Sequence, residues 1–120
     1  MESGSLNTVL KIFISSTDKH QNELLYEFIV FKAKANGLAG ATVLRGILGY
    51  GASSVIHSYK FWEISDKLPL TIEIIDEEEK IKSFVNDLIP ILKSTRNGCL
   101  VITEKVNVVL YKPGIMKNIK

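Results

Sequence analysis

The pattern that most constrains the fold is an amphipathic run that follows the acidic residues 76–79. Its apolar residues recur at the spacing i, i+3, i+4, i+7, i+8 and i+11, and they are Ile81, Phe84, Val85, Leu88, Ile89 and Leu92. This spacing predicts an α-helix with one apolar face, and Pro90 is expected to kink or loosen its last turn. Because such a face must be buried, the helix needs a second layer of structure to pack against.

The other elements are predicted from the same two periods, alternation for strands and 3.6 residues for helices. Strands are predicted at 8–14, 41–48, 70–75 and 99–103, a helix is predicted at 22–36, and residues 106–111 form either a fifth strand or a continuation of the fourth across a bulge. Gly37 supplies a left-handed end to the first helix, and Pro69 opens the third strand, where its missing N–H costs least. The order βαββαβ predicts an α+β fold, a ferredoxin-like sandwich with an antiparallel sheet and both helices on one face.

One face of such a sheet has no helix over it and is here called the open face. On the first strand Lys11 and Phe13 point toward it, and on the third strand Thr71, Glu73 and Ile75 do the same. A Lys11–Glu73 cross-strand pair beside apolar side chains is typical of an interface with a few fixed polar contacts. We therefore predict that other copies of the chain bury the open face.

Length and charge narrow the class of protein. A chain of 120 residues that is 46% hydrophobic predicts one domain at 9–112, with a flexible leader at 1–8 and a tail at 113–120. Fifteen basic and thirteen acidic residues leave a net charge of +2, and their scattered positions argue against a nucleic-acid partner. The N-terminus has no signal-peptide pattern, and no apolar run approaches the roughly 20 residues that span a bilayer. We expect a cytoplasmic protein that does not insert into membranes.

Side chains that often carry chemistry have simpler interpretations in this sequence. His20 and His57 have no ligand at metal-binding spacing, and Cys99 lies in an apolar run where a small buried hydrophobe is expected. Acidic residues 76–79 suit the positive end of a helix dipole, and residues 15–18 (SSTD) suit an N-cap or a turn. We predict no catalytic residue, no metal site and no enzyme activity.

The segment RGILGYG at residues 45–51 needs a separate interpretation. Its glycines at 46, 49 and 51 match neither phosphate-binding pattern, and they lead from a strand into a loop rather than into a helix. They are expected to form a sharp strand exit with positive φ or a bulge. In the polar loop that follows, Tyr59 and Trp62 are expected to anchor the chain to its own domain, a neighbouring subunit or a ligand.

Several motifs resemble those of domain-of-unknown-function family 190. They are ATVLRGI at 41–47, the aromatic between glycines at 49–51, SSVIH at 53–57 and LPLTIEIID at 68–76. The resemblance covers about 11–111, and the family is in turn similar to the nitrogen-regulatory PII proteins. It implies a homotrimer whose sheets pack inward, an effector such as ATP or ADP in the clefts between subunits, and a long loop that contacts a partner protein.

The resemblance also implies which residues act. The loop body would span 52–67, and the turn STRNG at 94–98 would form the opposite wall of the cleft. The implied ligand-binding residues are Arg45, Gly46, Gly49, Gly51, His57, Lys60, Arg96 and Lys112. The implied partner-contact residues are Tyr50, Ser53, Ser54, Tyr59 and Trp62. Together they describe a PII-like signalling protein that senses a small molecule and reports through its loop.

Some positions depart from the PII pattern. The turn at 94–98 keeps only Arg96 as a cation, and PII basic residues are replaced by Leu70, Thr71, Val109 and Leu110. Each charge-assisted hydrogen bond that a triphosphate loses is worth about 1.5–3 kcal/mol, which argues for a smaller anion or a different nucleotide. Two alternatives stay open, an assembly trimer without ligand and an uncharacterised enzyme. Arg45 is either a partner of a buried carboxylate or the cation that meets the effector.

Overall fold

The computed structural model describes residues 1–51, 57–58 and 67–115. Its helices are α1 (Leu25–Ala35) and α2 (Glu78–Ser94). Its strands are β1 (Leu6–Ser15), β2 (Lys19–His20), β3 (Glu23–Leu24), β4 (Thr42–Arg45), β5 (Leu48–Gly49), β6 (His57–Ser58), β7 (Pro69–Asp76) and β8 (Leu100–Asn107). The predicted βαββαβ order is confirmed by β1, α1, β4, β7, α2 and β8.

The main sheet has the strand order β4-β7-β1-β8, and each neighbouring pair is antiparallel. Alternate residues of β1 and β7 face the helices and are buried with them, as the period-2 pattern requires. This core comprises Leu10, Ile12, Ile14, Leu70, Ile72 and Ile74 of the sheet, Leu25, Ile29 and Ala33 of α1, and Ile81, Phe84, Leu88 and Leu92 of α2. The fold is the expected ferredoxin-like α+β sandwich.

The first strand begins earlier than the sequence predicts. Asn7 and Thr8 are buried within β1, and β1 pairs with β8 from Leu6 onward. Two further backbone hydrogen bonds, from Gly4 N–H to the Val108 carbonyl and from Val108 N–H to the Ser5 carbonyl, extend this pairing toward the N-terminus. Residues 6–8 are therefore strand, which corrects the expected boundary of the leader.

The first helix starts three residues later than expected. Glu23 and Leu24 pair with Lys19 and His20 in the β2–β3 hairpin, so their backbone is extended and α1 begins at Leu25. The backbone after the helix follows the prediction, because Gly37 has φ +77°.

The predicted strand at 41–48 is divided. β4 ends at Arg45, and β5 pairs with β6 in a separate two-stranded sheet. At the break, Gly46 N–H donates a 2.7 Å hydrogen bond to the Pro69 carbonyl. The expectation of positive φ in this segment is wrong, since among the described glycines positive φ occurs at Gly4 and Gly37.

Close packing gives the glycine at position 46 a different reason. A Cβ atom added to Gly46 would lie 2.9 Å from Pro69 Cγ, closer than real Cβ atoms approach a neighbour. The backbone of Gly46 therefore rests against the proline ring, and only glycine leaves room for it.

The C-terminal part forms one strand rather than two. β8 pairs with β1 in unbroken register from Phe13 opposite Leu100 to Leu6 opposite Asn107. The expected bulge, and the alternative of a separate fifth strand at 106–111, are therefore wrong for the described residues. α2 continues through Pro90 to Ser94, so the proline does not end the helix.

Candidate functional site

A cavity of about 460 Å³ lies at one end of the main sheet, and we call it the glycine cleft. It is lined by Phe13, Ile14, Ser15, Gly49, Tyr50, Gly51, Pro69, Leu70, Thr71, Gly98, Cys99 and Leu100. The cleft brings together the start of the predicted loop and the end of the predicted opposite wall, two segments that are far apart in sequence.

Strand directions explain this meeting. The antiparallel pairing places the end of β1 beside the start of β7, with Ser15 opposite Pro69, and beside the start of β8, with Phe13 opposite Leu100. Pro69 supports both neighbouring glycines, since a Cβ added to Gly49 would lie 3.4 Å from its ring. The first residue of β7 therefore fixes the position of the glycine segment.

The walls of the cleft are largely apolar. Their side-chain polar groups are the hydroxyls of Ser15, Tyr50 and Thr71, and none of the described lining residues is charged. A flat, weakly polar group suits such walls, whereas several phosphate charges would lack the cations that stabilise them. The cleft of a single chain is thus suited to the uncharged part of a ligand.

Cys99 lies in the cleft wall and is half-buried. Burial, and to a lesser degree the negative charge of Asp18, raise the pKa of its thiol. Because the thiolate is the reactive form, a raised pKa makes Cys99 a poor nucleophile. This agrees with its interpretation as a small hydrophobic residue.

Arg45 is exposed at the end of β4. No carboxylate of a described residue lies within salt-bridge distance of it. The two buried carboxylates accept backbone hydrogen bonds instead, Asp18 from Ser15 N–H and Asp76 from Ala39 and Glu77 N–H. The hypothesis that Arg45 partners a buried carboxylate is therefore wrong for the described part of the chain.

The structure separates the other predicted ligand-binding residues. Arg96 lines a different cavity together with Lys19 and His20, and Lys112 is exposed beyond the end of β8. Gly46 borders Pro69 at the strand break, and the backbone of His57 pairs with Gly49. Lys60 lies outside the described residues.

Of the predicted partner-contact residues, the structure describes one. Tyr50 is 73% exposed and lines the glycine cleft. Ser53, Ser54, Tyr59 and Trp62 lie outside the described residues.

The open face carries the predicted cross-strand pair. Lys11 lies opposite Glu73, and Lys11 Nζ is 4.0 Å from Glu73 Oε2. In the neighbouring row, the register aligns Leu44, Thr71, Phe13 and Leu100 across the four strands. Exposed apolar side chains surround the ion pair, and they are Leu44, Ile75, Leu100 and Ile102. Because Phe13, Thr71 and Leu100 also line the cleft, the cleft opens onto this face.

Asp76 has a role that the sequence does not reveal. It ends β7 and is only 1% exposed. Its Oδ2 accepts the Ala39 N–H at 2.9 Å and its Oδ1 accepts the Glu77 N–H at 2.7 Å. The carboxylate thus ties the loop after α1 to the start of α2, which corrects the interpretation of Asp76 as a helix-dipole residue. Glu78 and Glu79 do occupy the first turn of α2.

The turn after β1 is confirmed as structural. Ser16 N–H donates to the Leu68 carbonyl, and Leu68 N–H donates to Ser16 Oγ, each at 2.9 Å. Within the described ranges there is no group of three or more side chains arranged to hold a metal ion. Likewise, no helix in the part of the chain that the structure describes is long and apolar enough to cross a bilayer.

The architecture is that of PII-like proteins. The structure of CPII from Thiomonas intermedia K12, bound to ADP, AMP and bicarbonate, aligns with a TM-score of 0.60 at 16% identity and covers 86% of this chain and 90% of that chain. The crystal structure of a PII-like signalling protein from Thermus thermophilus aligns with a TM-score of 0.58 at 19% identity, over 87% and 90% of the two chains. At these identities the likeness shows the fold.

Sequence comparison shows the family. The sequence model of domain-of-unknown-function family 190, described as "Uncharacterized ACR", matches residues 7–108. A UPF0166 protein of Aquifex aeolicus (strain VF5) is 40% identical over 101 residues, which is 84% of this chain and 91% of the relative. A UPF0166 protein of Methanocaldococcus jannaschii is 38% identical over 96 residues, which is 80% and 86% of the two chains. The chain belongs to family 190, as its motifs predict.

Proposed function

We propose that this chain is a PII-like regulatory protein rather than an enzyme. It assembles as a homotrimer through the open face, binds a small effector in the glycine cleft, and acts on a partner protein through the loop that follows Gly51. One observation carries the proposal: the glycine cleft joins the start of this loop to the wall at 98–100 and opens onto an exposed apolar sheet face.

Assembly would complete the cleft. Phe13, Thr71 and Leu100 belong to both the cleft wall and the open face, so a second copy that packs on this face also covers the open side of the cavity. A neighbouring chain would also add cations that the described cleft wall lacks, and the exposed Lys112 and Arg45 are candidates. An effector in this position binds the trimer more tightly than the monomer.

The walls favour an effector with a flat, weakly polar part. Phe13, Leu70 and Leu100 offer apolar surface, while Ser15 and Thr71 offer hydroxyls to a few polar atoms. A nucleobase fits this description, and CPII, a protein of the same fold, is bound to ADP and AMP. The small number of cations favours a mono- or diphosphate over a triphosphate, because each phosphate charge needs compensation on binding.

Effector binding would be reported through Tyr50, which lines the cleft and is also 73% exposed. A ligand that favours one arrangement of the loop shifts its population and changes the surface offered to a partner protein. Tyr50, Ser53, Ser54, Tyr59 and Trp62 are the proposed contacts.

The cleft is tested by filling it at a glycine. A Cβ added to Gly51 or to Gly114 meets no atom within 4 Å, so a side chain is tolerated at either position, and only Gly51 lines the cleft. We expect ADP to bind the wild-type protein in isothermal titration calorimetry, Gly51→Leu to weaken binding at least about tenfold, equivalent to about 1.4 kcal/mol, and Gly114→Leu to leave it unchanged. Equal affinities of the two variants would contradict binding in this cleft.

Assembly is tested on the open face. Ile102 is 39% exposed and lies opposite Lys11, so a glutamate there gains a cross-strand partner in the monomer and places a carboxylate in the interface. Light scattering should give about three times the 13.4 kDa chain mass for wild type, and a lower mass for Ile102→Glu. The control Phe31→Glu, on the exposed surface of α1, should stay trimeric. A monomeric wild type at micromolar concentration contradicts the proposal, and a trimer that binds none of ATP, ADP and AMP favours the assembly protein without effector.

A further inference from the structure

A second cavity, of about 550 Å³, lies between the β2–β3 hairpin and the turn after α2. We call it the cationic pocket, and its side chains include Thr17, Lys19, His20, Gln21, Arg96 and Asn97. As far as the described residues show, it shares no lining residue with the glycine cleft. It is thus a separate place on the molecule.

Its charge is of one sign. Lys19 and Arg96 carry permanent positive charges and His20 adds another N–H donor, while no carboxylate is among the described lining residues. None of these three side chains forms an ion pair with a described residue. Two cations that face one cavity without a counter-charge repel each other, and an anion between them removes this repulsion.

Neutral donors stand beside the cations. Gln21 and Asn97 contribute side-chain amides. The hydroxyl oxygen of Thr17 is buried and has no hydrogen-bond partner within the described ranges, so a rotation about χ1 would make it available to a ligand. A buried polar atom without a partner is costly and needs an explanation, which a bound anion provides.

Local structure holds these donors in place. The His20 ring packs against Phe28 with ring centroids 4.6 Å apart. Gln21 has φ 56° and is the one non-glycine residue in the described ranges with positive φ. This conformation is unfavourable for a glutamine and often occurs at functional sites. It turns the hairpin so that residues 19–21 face the turn at 94–97.

The C-terminus of α2 opposes an anion, because its free carbonyls carry partial negative charge. Here the carbonyls are already bonded. Thr95 donates both its N–H, at 3.2 Å, and its hydroxyl, at 2.9 Å, to the Leu92 carbonyl, and Ser94 Oγ donates to the Ile91 carbonyl at 2.6 Å. These two hydroxyls are thus used within the turn, and contact with an anion falls to the cations and amides.

We infer that the cationic pocket binds a tetrahedral oxyanion, either inorganic phosphate or the phosphate group of a small phosphomonoester. The guanidinium fork of Arg96 matches two phosphate oxygens, and the Lys19 ammonium compensates the remaining charge. Such a site gives the protein a second ligand, independent of the effector in the glycine cleft.

The test is calorimetric titration of the full chain with inorganic phosphate and, separately, with glycerol 3-phosphate at constant ionic strength. Saturable binding of one or both is expected, and the tighter of the two identifies the source of the phosphate group. Arg96→Gln should weaken it about tenfold, the loss expected for one charge-assisted hydrogen bond. Lys34→Gln, which removes an exposed charge on α1, should change it less than about twofold.

A second readout locates the ligand. The side-chain amide NMR signals of Gln21 and Asn97 should shift with the same titration curve. Absence of saturable binding of both probes at millimolar concentration would overturn the inference, as would equal losses in Arg96→Gln and Lys34→Gln, or shifts confined to residues outside the pocket. Because Arg96 and Lys34 are both exposed, neither substitution removes core packing.

Discussion

The contact between Gly46 and Pro69 yields a prediction whose size follows from the structure. In Gly46→Ala the new Cβ would lie 2.9 Å from Pro69 Cγ and 3.4 Å from the Pro69 carbonyl oxygen. The proline ring is closed on its own backbone and cannot swing away, and the 2.7 Å hydrogen bond from Gly46 N–H holds the two residues together. Overpacking of this kind costs about 1–3 kcal/mol.

The matched control is Gly51→Ala in the same segment, where an added Cβ meets no atom within 4 Å. Both substitutions reduce the entropy of the unfolded chain by a similar amount, worth about 0.4–1 kcal/mol. The difference between the two variants therefore isolates the clash. At equal protein concentration, Gly46→Ala should melt about 4–12 °C below Gly51→Ala.

A double-mutant cycle identifies the cause. Pro69→Ala removes Cγ, so Gly46→Ala should cost much less in that background, with a coupling energy of about 1 kcal/mol or more. Thermal and urea unfolding at fixed concentration measure all four proteins. If Gly46→Ala is as stable as Gly51→Ala, or if its cost is unchanged without Pro69 Cγ, close packing is not the reason for the glycine.

Two further predictions concern buried groups. Asp76→Asn replaces a carboxylate that accepts two backbone N–H groups, so it should lower the free energy of unfolding by about 1.5–3 kcal/mol in urea, while Asp87→Asn on the exposed surface of α2 should change it by less than about 0.5 kcal/mol. The pKa of Cys99 is raised by burial and by Asp18, so iodoacetamide should alkylate the folded chain more slowly than the urea-unfolded chain at pH 8. Since the fold favours the neutral thiol, this contribution to stability is complete below the ordinary thiol pKa and is lost as pH rises through the folded pKa. Equal alkylation rates in both states would contradict it.

Elements with strong periodicity were predictable from the sequence. The helix at Glu78–Ser94 and the strand at Pro69–Asp76 were confirmed because their apolar spacing is dictated by one buried face each. The Lys11–Glu73 pair followed from the same alternation, once the two strands were taken as neighbours.

Tertiary contacts decided the elements that the sequence misplaced. Residues 23–24 suit a helix, but pairing with Lys19 and His20 makes them extended. The glycine at 46 was expected to serve a backbone conformation, whereas the structure shows that it makes room for a proline 23 positions away in sequence. Asp76 resembles its acidic neighbours in sequence and differs from them by burial, which local pattern does not encode.

The candidate site was predictable in part for a similar reason. The two walls of the glycine cleft followed from the family resemblance and meet as expected. The cations assigned with them do not, because Arg96 faces the β2–β3 hairpin and Arg45 is exposed at the end of β4. The direction of a side chain in a turn depends on contacts that spacing alone does not define.

The most direct test of the account is calorimetric titration of ADP into the wild-type protein and into Ile102→Glu at the same chain concentration. The account predicts one site per chain in the wild type and at least about tenfold weaker binding in the variant, because the open side of the glycine cleft is then uncovered. Phe31→Glu should bind as the wild type does. Equal affinity in a monomeric Ile102→Glu variant would contradict the claim that assembly completes the effector site.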